Sequence, residues 1–142
     1  MRIHEFRIPL NMHVDEFQIA QLYMTIHASD SETGNGEGIE VLCNEPYDNT
    51  DGQLGRSKYS GIAIPKTKGQ YTLKHYHFAS RLPSYLSAVC PAESMILIEE
   101  AWNAYPHCVT VLTNCYLSEE KFFISIESIH LPDQGQHGKR PL

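Results

Sequence analysis

The chain has 142 residues, of which 42% are hydrophobic and 20% are charged. That mixture is typical of one globular domain and excludes a fibrous or disordered chain. No apolar stretch approaches the roughly 20 residues of a membrane-spanning helix, and the N-terminus lacks the apolar core of a signal peptide, so we expect a soluble, cytoplasmic protein. The net charge of −6 argues against nucleic acid as a partner, because that binding depends on basic side chains that contact phosphates.

The first predicted elements are a strand and a helix. Apolar and polar residues alternate in Arg2–Leu10, which predicts a strand. Val14–Ala28 contains no proline or glycine, and acidic residues in its first turn suit the helix dipole, so it predicts a helix. The predicted apolar face of this helix comprises Phe17, Ala20, Met24 and His27, widened by Ile19, Leu22, Tyr23 and Ile26.

The rest of the chain predicts an antiparallel sheet and therefore an α+β fold. Ile39–Leu42 predicts a short strand, and Asn44–Gly69, which shows little periodicity, predicts a long loop. Pro83–Cys90 fits either a short helix or an irregular crossing. Short connections between the later strands favour an antiparallel meander. Those strands are Gln70–Ala79, a strand from near Met95 to the WNAYP sequence at Trp102–Pro106, His107–Tyr116 and Lys121–Leu131.

Polar side chains interrupt the apolar faces of these strands. Lys74 lies between Thr72 and Tyr76 on one face of its strand, where a lysine must reach water or meet a buried partner. Two interpretations stay open: Lys74 is solvated at a sheet edge, or the sheet lines an apolar cavity with polar anchors, as in a small-molecule site. The later strands present equally mixed faces: Cys108, Thr110, Leu112 and Asn114, then Phe122, Ile124, Ile126 and Ser128.

Other clusters of polar residues predict no chemistry. His75 and His77 have a chelating spacing, but no acid or thiol lies near them in the sequence as a third ligand. Glu99 and Glu100 are adjacent, so on a strand they point to opposite faces and are expected at the surface. The four cysteines form no CxxC pair, which predicts reduced thiols. We therefore expect no metal, no cofactor and no catalytic group.

Five segments carry a specific combination of motifs: Phe17–Tyr23 (FQIAQLY), Gly36–Val41 (GEGIEV), Asn44–Tyr47 (NEPY), Gly69–Lys74 (GQYTLK) and Ala101–Pro106 (AWNAYP). In this order, and across about residues 3–134, the chain resembles the phosphatidylinositol transfer protein family. The resemblance implies a strongly curved antiparallel sheet that holds one phospholipid and is closed by long helices, similar to START-like domains. It also implies a carrier of phosphatidylinositol and phosphatidylcholine that contacts membrane surfaces transiently, is peripheral to them and is not an enzyme.

The resemblance also implies lipid-contact residues, carried over position by position. The inositol ring contacts match Thr72, Lys74 and Asn103, and the phosphate contacts match Gln21 and Thr110. A further family threonine falls at Ser128, which keeps the hydroxyl and loses the methyl group.

Two departures from the family pattern bear on function. Leu54–Thr67 resembles an insertion, which we expect to be exposed, mobile and little packed. The chain is about half the usual family length, so we expect residues 1–134 to be the N-terminal part of the domain and 135–142 a disordered tail. The missing half normally brings further headgroup contacts, a membrane-docking loop and the closing helices. The alternative function is therefore a truncated, non-transferring product that acts only through protein contacts.

Overall fold

The computed structural model describes residues 2–32, 38–78, 91–118 and 120–132, which form one helix and a curved, open five-stranded sheet. The strands are all antiparallel and lie in chain order, β1-β2-β3-β4-β5. This confirms the predicted α+β fold and its antiparallel meander. The elements are α1 (Val14–Glu32), β1 (Gly38–Asp48), β2 (Lys68–His77), a 3-10 turn (Ala92–Met95), β3 (Ile96–Ala104), β4 (His107–Asn114) and β5 (Ile124–Ile129).

Helix α1 begins at the predicted residue and runs four residues further than predicted. At its start the backbone N–H of His13 donates to Glu16 Oε2 at 2.9 Å, which satisfies one of the open donors of the first turn. Its half-buried residues are Val14, Phe17, Ala20 and Gln21 in the first half of the helix and Ser29 near its end. The prediction that Met24 and His27 belong to the packed face is wrong, because both are exposed and the described residues cover only one narrow side of the helix.

The predicted strand at Arg2–Leu10 is also wrong. These residues adopt no strand, and their side chains are exposed. Alternation makes a segment compatible with a sheet, but a strand is stable only when a neighbour satisfies its backbone N–H and C=O groups. Among the described strands, none pairs with this segment.

Strand β1 is much longer than the predicted Ile39–Leu42 and includes the NEPY segment, so the prediction of a loop at that segment is wrong. Pro46 is compatible with the strand because β1 lies at the edge of the sheet, where an N–H can be missing without loss of a ladder bond. The other four strands match their predictions with shifted ends. The predicted Pro83–Cys90 segment and the 135–142 tail lie outside the described residues.

The β1–β2 connection, residues 49–67, is folded onto the sheet. Asn49 is 1% exposed, and its side chain donates to the carbonyls of Ile64 and Pro65 and accepts from the N–H of Leu54. Ser60, further along, is 2% exposed. The expectation that Leu54–Thr67 packs little is therefore wrong, because the buried amide of Asn49 bonds to both ends of the segment and Ser57 and Ser60 bond to Glu100 of the sheet.

The connection lies over Glu100, whose carboxylate is 2% exposed. The hydroxyl of Ser57 lies 2.6 and 2.7 Å from its two oxygens, the N–H of Ser60 donates at 3.0 Å, and the hydroxyl of Tyr71 donates at 2.9 Å. Burial and the neighbouring carboxylate raise the pKa of Tyr71, which keeps that donor protonated. The expectation of a surface role for Glu100 is wrong, because the β1–β2 connection covers it.

The two faces of the sheet are packed very differently. Directly paired residues of antiparallel strands share a face, so the register divides the side chains into two sets. The Leu73 face carries the core, with Leu73, Trp102 and Val111 at 4%, 3% and 1% exposure. The Lys74 face is the open one, with Val41, Ile124 and Ile126 at 55%, 43% and 47% exposure. Its residues on the four later strands are Lys68, Gln70, Thr72, Lys74, Tyr76, Leu97, Glu99, Ala101, Asn103, Cys108, Thr110, Leu112, Asn114, Ile124, Ile126 and Ser128.

Candidate functional site

Strand register brings five of the six predicted contact residues onto the Lys74 face. Thr72 of β2 and Thr110 of β4 both pair with Ala101 of β3, so the two hydroxyls lie in one row across the sheet. A second row joins Asn103, Cys108 and Ser128, and Lys74 lies in a third row with Glu99. The sixth residue, Gln21, belongs to the half-buried face of α1. Within the described residues no hydrogen bond joins its side chain to the strand residues.

An ion pair lies at the centre of this face. Lys74 Nζ lies 2.9 Å from Glu99 Oε1, and the side chains are only 14% and 15% exposed. The hydroxyl of Tyr76 donates to Glu99 Oε2 at 2.7 Å. Burial, together with this hydrogen bond, raises the pKa of Tyr76, so the phenol stays a donor at neutral pH. A half-buried lysine is thus held by a carboxylate that itself has a second partner.

This network excludes the first interpretation of Lys74. Solvation at a sheet edge is wrong, because β2 lies between β1 and β3 and the lysine side chain is largely buried against Glu99. The expectation that Glu99 and Glu100 point to opposite faces is confirmed, since Glu99 bonds to Lys74 and Glu100 bonds to the β1–β2 connection. The expectation that Glu99 is a surface carboxylate is wrong.

Glu99 is the site residue that sequence reasoning missed. Its side chain shares a face with Ala101 and Asn103 by simple alternation, and that was the available signal. What the sequence lacked was the register of β2 against β3, which places Lys74 directly opposite Glu99. Register depends on contacts between residues far apart in the chain, so local periodicity does not reveal it.

Asn103 offers amide donors on the same face. Its Oδ1 accepts a hydrogen bond from Cys108 Sγ at 3.2 Å, and burial raises the pKa of Cys108, which keeps that thiol protonated. This bond involves the amide oxygen, so the NH₂ group of the same amide can donate to a ligand. The backbones of β2 and β3 approach closely at this point, where β2 has a glycine. A Cβ at Gly69 would lie 2.1 Å from the carbonyl oxygen of Asn103.

The arrangement suits an amphiphilic, hydroxyl-rich ligand. Hydroxyl, amide, ammonium and carboxylate groups lie within three neighbouring rows, so both donors and acceptors are present. Exposed isoleucines of β5 and Val41 of β1 provide apolar surface on the same face. No helix in the described part of the chain is long and apolar enough to cross a membrane. Another group of polar residues lies on the Leu73 face, the opposite face of the sheet, and is separate from this site. It comprises Glu40, His75 and His77.

Comparison with known proteins agrees with this architecture. The family model described as "Phosphatidylinositol transfer protein" matches residues 1–139. The chain is 46% identical over 143 residues to the phosphatidylinositol transfer protein beta isoform of Mus musculus, covering 98% of this chain and 47% of that protein. It is 45% identical over 133 residues to phosphatidylinositol transfer protein 1 of Dictyostelium discoideum, covering 94% of this chain and 44% of that protein.

A third relative contains a similar sequence within a much larger protein. The chain is 41% identical over 136 residues to protein retinal degeneration B of Drosophila melanogaster, covering 95% of this chain and 10% of that protein. In all three comparisons the chain spans less than half the length of the relative. The match nevertheless extends over nearly all of the chain, and the chain belongs to the phosphatidylinositol transfer protein family.

Proposed function

We propose that the Lys74 face binds the headgroup of one phosphatidylinositol molecule and contributes this half of the site to a phospholipid transfer protein. Phosphatidylcholine is the second proposed cargo, contact with the membrane surface is transient, and the protein is cytoplasmic and performs no covalent chemistry. The observation that carries the proposal is the convergence of Thr72, Lys74, Glu99 and Asn103 on one face. The relatives named for phosphatidylinositol transfer support the same cargo.

The polar groups suit an inositol ring. Inositol presents several hydroxyls, each of which donates and accepts hydrogen bonds. Lys74 and Asn103 supply donors, Glu99 supplies acceptors, and Thr72 supplies both. Choline is a cation without hydroxyls, so it gains nothing from these donors. We therefore assign these four residues to selection for inositol lipid.

The phosphate and the acyl chains make other demands. A phosphodiester accepts hydrogen bonds, and in our proposal the donors are Gln21 and Thr110, with Ser128 beside them. Two acyl chains hold about 30 methylene groups, and exposing them to water costs on the order of 20 kcal/mol at about 0.8 kcal/mol per group. Ile124 and Ile126 are 43% and 47% exposed on this face, so the described residues leave part of this apolar surface open. We propose that efficient transfer requires further residues that cover it.

A headgroup without acyl chains tests the site separately from the enclosure. We expect glycerophosphoinositol, titrated into the isotope-labelled 142-residue chain, to shift backbone amide resonances of β2, β3 and β4 in a saturable manner. Glycerophosphocholine should bind more weakly. Lys74→Ala should weaken glycerophosphoinositol binding about ten-fold or more, because a hydrogen bond to a charged group contributes about 1.5–3 kcal/mol.

Lys68→Ala is the matched control. Lys68 lies on the same strand and the same face, six residues from Lys74, and Nζ is 3.5 Å from an acid, Asp48 Oδ2, but its side chain is 72% exposed, so it is not held in place as Lys74 is. Binding should be unchanged in this variant. Equal binding of the two headgroups, or equal losses in the two variants, would overturn the headgroup assignment.

Vesicle-to-vesicle transfer of labelled phosphatidylinositol is then measured on the same protein. Efficient transfer by a monomer would show that no further cover is needed, whereas headgroup binding without transfer fits our proposal.

Failure of both headgroup binding and transfer would instead favour the truncated, non-transferring product. The headgroup titration therefore tests the contacts of the Lys74 face, and the transfer assay separately tests whether the acyl chains are enclosed.

A further inference from the structure

A cluster of three ligating side chains lies on the Leu73 face, where β1 begins and β2 ends. Glu40 of β1 pairs directly with His75 of β2, and His77 follows two residues later on the same face. His77 Nε2 lies 3.1 Å from Glu40 Oε2, and the two imidazole rings are 6.3 Å apart in an edge-on arrangement. One ligand atom from each of the three residues lies within 4.8 Å of the others.

The distances approach those of a metal site. Imidazole nitrogens and carboxylate oxygens bind Zn²⁺ at about 2.0–2.1 Å, so tetrahedral ligand atoms lie about 3.4 Å from one another. The His77–Glu40 distance of 3.1 Å is already compatible with this spacing. The other ligand atoms, which lie within 4.8 Å of one another, must move closer together to reach this spacing. Rotation of the side chains can achieve this, because Glu40 is 56% exposed and His77 is 31% exposed.

The surroundings favour a cation. The cluster combines one carboxylate with two imidazoles, which are neutral when they bind a metal, so it presents a net negative charge. Gly38 pairs directly with His77, and a glycine places no side chain of β1 between the ring and Glu40. On the other side, His75 and His77 pair with Ile98 and Ile96 of β3. Ile96 and Ile98 thus flank the cluster on the β3 side, and the three described side chains would supply three of the four ligands of a tetrahedral ion.

We propose that Glu40, His75 and His77 bind one divalent transition-metal ion, with Zn²⁺ as its representative, and that the ion links β1 to β2. Imidazole and carboxylate donors suit this class of metals. The sequence supplied only the His-x-His spacing, because the third ligand is on a different strand. The site lies on the opposite face from Lys74, so it is independent of the proposed headgroup contacts.

Calorimetric titration with zinc chloride tests the proposal on the full 142-residue chain, prepared without an affinity tag and kept reduced. We expect one Zn²⁺ ion to bind per chain. His75→Gln and His77→Gln should each weaken that binding about ten-fold or more, because each removes one of only three protein ligands. Circular dichroism of the variants checks that the sheet is intact.

His107→Gln is the matched control. His107 lies on the same face and bonds to an acid, with Nε2 2.7 Å from Glu127 Oε1, and its side chain is 33% exposed, but no second histidine joins that pair in the described part of the chain. This variant should bind Zn²⁺ as the parent does. Zinc should also raise the melting temperature of the parent and of His107→Gln, but not that of His75→Gln.

Three results would overturn the assignment. The first is the absence of stoichiometric binding by the parent. The second is full binding by His75→Gln, which would place the ion elsewhere, for example on thiols. The third is an equal loss in His107→Gln, which would reduce the effect to nonspecific binding by surface histidines.

Discussion

Removal of the Ser57 hydroxyl should destabilise the protein far more than a substitution in an exposed loop normally does. The β1–β2 connection, residues 49–67, places this hydroxyl 2.6 and 2.7 Å from the two oxygens of Glu100, which is 2% exposed. In Ser57→Ala the carboxylate keeps the N–H of Ser60 and the hydroxyl of Tyr71 as donors. It remains buried and charged, with one donor fewer.

The expected magnitude follows from the charge on the acceptor. A hydrogen bond to a charged group contributes about 1.5–3 kcal/mol, and a buried acceptor that loses its donor keeps its desolvation cost. The Ser57 oxygen also accepts from the N–H groups of Tyr59 at 3.0 Å and Ser60 at 3.3 Å, so the local turn loses an acceptor as well. We expect Ser57→Ala to lower the free energy of unfolding by about 2 kcal/mol.

Urea denaturation followed by fluorescence measures this loss. Trp102 is the single tryptophan, is 3% exposed, and packs against Tyr71 with ring centroids 5.5 Å apart. It therefore reports on the region beneath the connection. Thr50→Ala is the control, because Thr50 Oγ1 also donates to a carboxylate, Asp48, but both groups are exposed. The control should change stability by less than about 0.5 kcal/mol. An equally small change in Ser57→Ala would refute the reasoning, because the connection would then be held by something other than the Glu100 contacts.

Two further predictions concern other parts of the sheet. Gly69→Ala should cost about 3 kcal/mol or more in the same denaturation assay, because the new Cβ would lie 2.1 Å from the carbonyl oxygen of Asn103 and strand backbone cannot yield locally; a loss below 0.5 kcal/mol would contradict that geometry. Burial lowers the pKa of His130 below its usual 6.5, so the unfolded chain binds this proton more readily and the stabilisation by the neutral ring is lost as the pH falls below about 6.5. Urea midpoints at pH 7.5 and pH 5 should therefore differ less in His130→Gln than in the parent, and equal differences would contradict the assignment.

Local periodicity was sufficient to predict which side chains share a face. Alternation alone predicts that Thr72 and Lys74 share a face, and likewise Thr110 and Leu112, and the register confirms both pairs. A strand turns its side chains alternately whatever its neighbours are, so this property depends only on the segment itself. The start of α1 at Val14 was predictable for the same reason, since acidic residues mark the first turn.

The features that the sequence did not reveal all depend on distant partners. Glu99 acquires its role from Lys74 on a neighbouring strand, and the β1–β2 connection acquires its structure from Glu100. Arg2–Leu10 shows the opposite case, because it alternates as a strand does but no described strand pairs with it. Alternation is a property of the segment, whereas burial and pairing are properties of what lies against it.

The order of the strands has a kinetic consequence. Each strand of the sheet pairs with its neighbour in the chain, so each hairpin can form as soon as its second strand is available, without waiting for distant segments. Such short-range pairing favours rapid folding and suits a chain that folds as it is synthesised. The hydrogen bonds from Ser57 to Glu100 span 43 residues and cannot form until β3 is present. The β1–β2 hairpin should therefore form first, with its connection loose, and the connection should settle onto the sheet only when β3 docks against β2.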